Sequence, residues 1–389
     1  MSSPVKPQAR LTVFENARMQ IRPLPDSNHV NIGALAGSFG NVTNSYKFYW
    51  ILSLLDAVQE HHQRKIAIDW LLSRMVANVW HPVHYFRLQF GKSDKLTKCV
   101  ESVKSETELG IDAPIADVTS ACGQLSKGSH ARRLRDELAR YVPYRFIRPF
   151  FATETQGLKD HEVNPRIAEL AVKNYRRALP PMYRFDGDDI EFSDAWFMYL
   201  AEHLEVIRGF TYWHLVLYLQ SKNPNVGNIA SKLTRPVARD LAEGKEFWRL
   251  AFKEQVSPRC IYSGIELSST AFSLDHFLPW SFVAHDALWN LCPTIAEINS
   301  AKGDRLPAID RYLGAFIGSQ FDSVKRVAPF CREALLEDYS LLFGVGSRAE
   351  LLVIDRDDFC TRLENQLRPQ FQIATNCGFP PGWVYAAKG

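Results

Sequence analysis

A chain of 389 residues, 46% of them hydrophobic, is long enough to bury a large core and to divide into two or three domains, which excludes a low-complexity or disordered protein. Its 46 basic and 43 acidic residues leave a net charge of only +3, so bulk charge alone does not announce a nucleic-acid partner. Seven scattered cysteines show neither a disulfide framework nor a metal knuckle, and Met1 to Gln20 lacks the apolar core of a signal peptide, so a cytoplasmic protein is expected.

In chain order, Asn44 and Ser45 cap a helix through Lys47, Trp50, Leu54, Leu55 and Val58, and a second helical run over Ile66 to Trp80 stops at Pro82. Phe48, Tyr49 and Trp50 lie at helical spacing beside leucines and read as core, not as a base-stacking platform. His81 and His84 have no third ligand within sequence reach and read as packing residues. The polar stretch from Lys92 to Gly128 allows a helix over Asp94 to Thr107 and breaks near Gly110 and Pro114, and a third helix over Ala131 to Tyr141 precedes Pro143. Asp186-Gly187-Asp188-Asp189 is a turn, because it lacks the spacing of a calcium loop. Trp196 to Gln220 is the most apolar long stretch, but Glu202, His203, Glu205 and Arg208 interrupt it. It therefore reads as a helix pair, with no membrane insertion. That pair ends before Pro224, and another helix runs from Pro236 to Phe252.

Charge is local. From Lys127 to Arg148 seven basic residues stand against two acids, and smaller clusters occur at Lys173, Arg176, Arg177 and at Lys232, Arg235, Arg239. Such runs either track a phosphate backbone or form solvated helix faces.

The chemistry concentrates after residue 270. Leu274, Phe277 and Leu278 flank Asp275 and His276, so the polar pair sits on a short strand near its exit at Pro279. Adjacent strand side chains point to opposite faces, so a bend is expected there. Asn290 follows in a loop. Thr294 as N-cap and Glu297 three residues on make a capping box, which starts a helix bearing Asn299 and Lys302 on one face. Together these groups suit phosphodiester hydrolysis. An imidazole takes a water proton near neutral pH, and a carboxylate with an amide oxygen suits Mg²⁺ or Mn²⁺.

These residues resemble the HNH, or ββα-metal, endonuclease family, in particular the zinc-free domain of CRISPR RNA-guided nucleases. The likeness runs over roughly residues 256 to 310: Cys260-Ile261-Tyr262-Ser263-Gly264 as first strand and turn, then Asp275-His276 with Pro279, then Asn290, Asn299, Lys302 and Pro307. It implies Asp275 and Asn299 as metal ligands and His276 as general base. Asn290 would hold the loop and orient the histidine, and Lys302 would meet substrate phosphate or support the transition state. Cys260 and Cys292 lack their Cys-x-x-Cys partners, so no structural zinc is expected.

The expected fold is mainly α with a small ββα-metal module, α+β overall. Residues 1–130 form a mostly helical domain, 131–250 a helical domain for DNA or partner contacts, 251–310 the nuclease module and 311–389 a helical C-terminal part. The leading expectation is a metal-dependent endonuclease that nicks DNA. The alternatives are a non-catalytic DNA- or protein-binding subunit with a degenerate nuclease fold, or an RNA-directed nuclease. The aromatic-rich flanks at residues 44–50 and 218–225 resemble HNH effectors of bacterial phage-defence operons, including the nuclease subunit of Zorya type II systems, which implies defence-system partners.

Overall fold

The structure is a computed structural model, and it describes residues 24–40, 42–236, 239–254 and 258–386. Helices account for 59% and strands for 7%, so the fold is mainly α, α+β overall, as expected. The first elements are α1 (Ile32–Ser38), α2 (Tyr46–His61), β1 (Lys65–Ala67), α3 (Ile68–Trp80), a π-helical turn (His81–Tyr85), α4 (Lys95–Ser105), α5 (Ile115–Gly123), α6 (His130–Ala139) and α7 (Val142–Phe146). Next come α8 (Asp160–Asn174), β2 (Tyr183–Asp186), β3 (Asp189–Phe192), α9 (Asp194–Glu202), α10 (Leu204–Lys222) and α11 (Ala242–Lys253). The remainder comprises β4 (Ser273–His276), α12 (Trp280–Val283), β5 (Leu291–Thr294), α13 (Ala296–Lys302), α14 (Ile309–Val327), α15 (Glu337–Phe343), α16 (Arg348–Val353) and α17 (Arg356–Asn376).

Two compact units result. The first joins the chain up to Met75 with Arg133–Leu215, and the second joins Val76–Arg132 with everything from Val216 on.

The first unit is built on α2, whose residues Phe48 to Val58 are all buried, as expected of a core helix. Trp50 donates to the Tyr183 hydroxyl at 3.0 Å, and Tyr183 donates in turn to the Pro143 carbonyl at 2.6 Å, so both buried polar groups are satisfied. A three-stranded antiparallel sheet of order β1-β3-β2 lies in this unit, with Tyr183 opposite Phe192 and Ile66 opposite Ile190. Gly187, at φ +63°, makes the two-residue turn between β2 and β3, so the expected turn is the tip of a hairpin.

Three local expectations are corrected. Pro82 does not end α3; the backbone widens into one π-helical turn over His81–Tyr85, closed by the amide of Phe86 on the His81 carbonyl. Ile66 and Ala67 belong to β1 and not to the following helix, because β3 offers them a pairing edge. The helix expected from Pro236 begins at Ala242. His81 is buried and His84 half-buried, with the His84 ring edge-on to Trp80 at 4.5 Å, in keeping with packing roles.

In the second unit α14 presents Tyr312, Leu313, Phe316, Ile317, Gln320, Val324 and Val327 inward, the stripe of an amphipathic helix. It packs against α11 and α17. Gln320 is fully buried yet satisfied: its amide donates to the Leu291 carbonyl at 2.7 Å and accepts from the Tyr339 hydroxyl. This fastens β5 to α14. On the other side Gly244 lets α11 lie close to both β4 and β5, since a Cβ there would come within 2.8 Å of Leu291 and 2.9 Å of Leu274.

Candidate active site

The short antiparallel ladder β4–β5 pairs Asp275 with Cys292 and His276 with Leu291. Alternation turns the two polar side chains apart, as the sequence requires, and a cavity of about 420 Å³ at the strand end receives both. Asn299 and Arg239 also line it.

Asp275 is 2% exposed. Tyr262 donates to one of its oxygens at 2.5 Å, and the Lys302 ammonium reaches the other at 3.1 Å. Lys302 also donates to the His276 carbonyl at 2.7 Å and is 1% exposed. Expected to meet substrate phosphate or to support the transition state, its ammonium points inward and ties α13 to the end of β4.

His276, 3% exposed, holds the Asp286 carboxylate through Nε2 at 2.7 Å. An ionised carboxylate only accepts, so Nε2 is the donor, and in the neutral ring Nδ1 is the nitrogen left with a lone pair. Asp286 lies beyond α12, where Ala284 adopts φ +54° and its carbonyl accepts from the Asn228 amide at 2.6 Å. That left-handed residue redirects the chain so that Asp286 returns toward β4. Beside it, burial first and the neighbouring His276 second push His285 down to about 4. Its ring accepts the Ala287 amide at 3.3 Å, as a neutral imidazole can.

Asn290 is fully buried and makes a two-way clamp, accepting from the Leu278 amide at 2.9 Å and donating to the Leu278 carbonyl at 3.0 Å. It holds the segment after His276 and does not line the cavity. Asn299 donates its amide to Ser273 Oγ at 2.9 Å and to the Leu274 carbonyl at 3.0 Å. Both acceptors claim the NH₂ end, which leaves Oδ1 as the atom that remains to accept.

Two expectations about the flanking pieces are corrected. Thr294 is the last residue of β5 and meets Cys260 Sγ at 3.1 Å, so the helix starts one position later, with Ile295 at its N-cap and no capping box. Cys260 to Gly264 form a tight turn closed by an Arg259–Glu266 bridge, not a strand, with Gly264 at φ +74°. Tyr262 lay within the motif without an assigned role, and nothing in the sequence marked Asp286.

Among the described residues no group of three His, Cys, Asp or Glu side chains is placed to hold a metal. Asp275 and Asn299 offer two hard oxygen donors, which suits a mostly hydrated Mg²⁺ or Mn²⁺ better than an enclosed zinc.

Residues 260–308 match the family model for HNH endonucleases, a segment that contains Tyr262, Asp275, His276, Asp286, Asn290, Asn299 and Lys302. This likeness points to nuclease activity on a nucleic-acid substrate. No curated protein and no solved structure matches the chain. No helix among the described residues is long and apolar enough to cross a membrane.

Proposed function

We propose that the chain is a metal-dependent endonuclease that hydrolyses DNA phosphodiester bonds one strand at a time. The observation that carries this reading is the convergence of Asp275, His276 and Asn299 on one cavity, inside the segment that matches HNH endonucleases.

His276 acts as general base through Nδ1, and Asp286 fixes that tautomer and offsets the charge as the ring takes the proton from water. Asp275 and Asn299 would hold the divalent cation. When bound, that cation neutralises charge on the phosphoryl oxygens and at the leaving oxygen. Lys302 positions Asp275 and the His276 backbone, Asn290 steadies the following loop, and Arg239, stacked 5.6 Å from the Trp280 ring at the cavity wall, is placed to meet a phosphate. The zinc-free reading is supported by Cys260, whose thiol is engaged by Thr294. The proposed setting is bacterial anti-phage defence, with cytoplasmic action and defence-system partners, on the strength of the flanking segments.

The test is purified protein with supercoiled plasmid and Mg²⁺ or Mn²⁺, beside His276→Ala. Loss of a general base costs about 10²- to 10⁴-fold, so the variant should barely cut while keeping its fold. One site per chain should give open circles before any linear product. Cleavage by the variant at the wild-type rate would show that His276 is not the base, and immediate linear product from a monomer would contradict single-strand nicking.

A further inference from the structure

The first unit carries two adjoining cavities, of about 400 and about 200 Å³, that share Lys47 and Arg145 as walls. Arg148 and Gln156 complete the larger one, and Tyr46, Tyr141 and Val142 line the smaller. No carboxylate among the described residues lines either. Three cations thus face one space, and the carboxylate that pairs with one of them, Asp160 on Arg145, lies outside its lining. The strain of that arrangement shows at Lys47, where burial first and the Arg148 guanidinium second lower its affinity for a proton.

Their donors are only partly used. Arg145 gives Nε to Asn164 at 2.8 Å and Nη2 to Asp160 at 2.7 Å. Arg148 reaches Thr155 with Nε and Nη2, each at 3.4 Å. Nη1 of both arginines and the Lys47 ammonium have no hydrogen-bond partner among the described residues. Lys47 also lies in the first turn of the 16-residue helix α2, whose dipole adds positive potential there. In the smaller cavity Tyr141 is 47% exposed, an uncovered aromatic ring beside the cations.

From this juxtaposition we propose that the Lys47–Arg145–Arg148 pocket and the tyrosine-lined slot beside it bind a nucleoside phosphate, with phosphate on the cations and base against the Tyr46 and Tyr141 rings. The cations supply charge-assisted donors for phosphate oxygens, and aromatic faces accept any base. The nucleoside phosphate is either a free nucleotide or one unit of a nucleic-acid strand. The site is independent of the nuclease reading, since none of its residues belongs to the HNH-like segment.

The experiment titrates the full chain, in EDTA to silence cleavage, with inorganic pyrophosphate, ATP and a short single-stranded oligonucleotide. ATP or the oligonucleotide should bind more tightly than pyrophosphate. Lys47→Met and Arg148→Gln should each weaken the binding of pyrophosphate and of the site's own occupant about tenfold or more, while Tyr141→Ala weakens that occupant and spares pyrophosphate. Lys47 has no partner to lose, so Lys47→Met should melt no lower than wild type. A free nucleotide as occupant predicts that ATP binding falls in the variants and oligonucleotide binding does not. A strand predicts that oligonucleotide binding falls, with its salt dependence shallower by a slope of about 0.7 per cation removed. If wild type binds neither, or if folded Lys47→Met and Arg148→Gln bind both as wild type does, the site is refuted.

Discussion

Replacing Lys302 by methionine keeps the length of the side chain and removes its charge, and the consequence can be worked from its contacts. Asp275 would remain 2% exposed with only the Tyr262 hydroxyl to offset its charge, and the His276 carbonyl would lose its donor at 2.7 Å. Leaving one member of a buried ion pair unpaired costs about 3–5 kcal/mol. Removing both charges is a different matter: in Asp275→Asn with Lys302→Met, Tyr262 can still donate to the amide oxygen and no ion is stranded. The double variant should therefore be more stable than the two single losses predict, by about 1–3 kcal/mol. Urea unfolding followed by tryptophan fluorescence measures this, provided the slope with denaturant is unchanged among the four proteins. Mg²⁺ should stabilise Lys302→Met more than wild type, because a cation at Asp275 restores the missing charge. Strict additivity of the two substitutions, within about 0.5 kcal/mol, would refute the view that Lys302 and Asp275 act as a buried pair.

Asp286→Asn should lower the nicking rate by about 10²- to 10⁴-fold with little change in DNA binding, because it frees the imidazole to take the other tautomer; a wild-type rate would leave Asp286 without a catalytic purpose. His285 gives a pH signature. Its folded value of about 4 lies below the ordinary 6.5, so the unfolded chain takes up the proton first, and stability is full above pH 6.5 and falls as pH drops toward 4. The part due to this residue is on the order of 3 kcal/mol, and His285→Asn should flatten the wild-type decline across that window in urea midpoints. Gly244→Ala should cost about 1–3 kcal/mol by driving a methyl group into Leu274 and Leu291, read as a lower melting temperature with activity reduced in step; an unchanged melt would show that α11 can move off the sheet freely.

What could be read in the sequence was what short-range spacing carries. Asp275 and His276 at a strand exit, and Asn299 and Lys302 on one face of the next helix, lie within a stretch so short that local geometry nearly dictates their meeting. The helices at α2, α4, α6 and α10 were legible from local composition and breakers for the same reason, although Ser45, at the N-cap of α2, makes no side-chain capping bond. The misreadings all depend on partners far along the chain or on a backbone turn that side-chain type does not announce. Thr294 has the chemistry of a cap, but its hydroxyl is taken by Cys260 and its backbone by β4. Asp286 reaches His276 only because Ala284 accepts a left-handed conformation usually left to glycine, held by Asn228. The basic run from Lys127 to Arg148 shows the limit most clearly. Arg135 is wholly buried, bonded to Ser73 at 2.8 Å and to the Asp69 carboxylate, and so serves the core. Arg145 and Arg148, in the same run, face a cavity with donors to spare. Composition treats these arginines as one cluster. Only the fold separates Arg135, neutralised inside the core, from a cation such as Arg148 that keeps donors free beside a cavity, and the proposed phosphate site rests on the second kind.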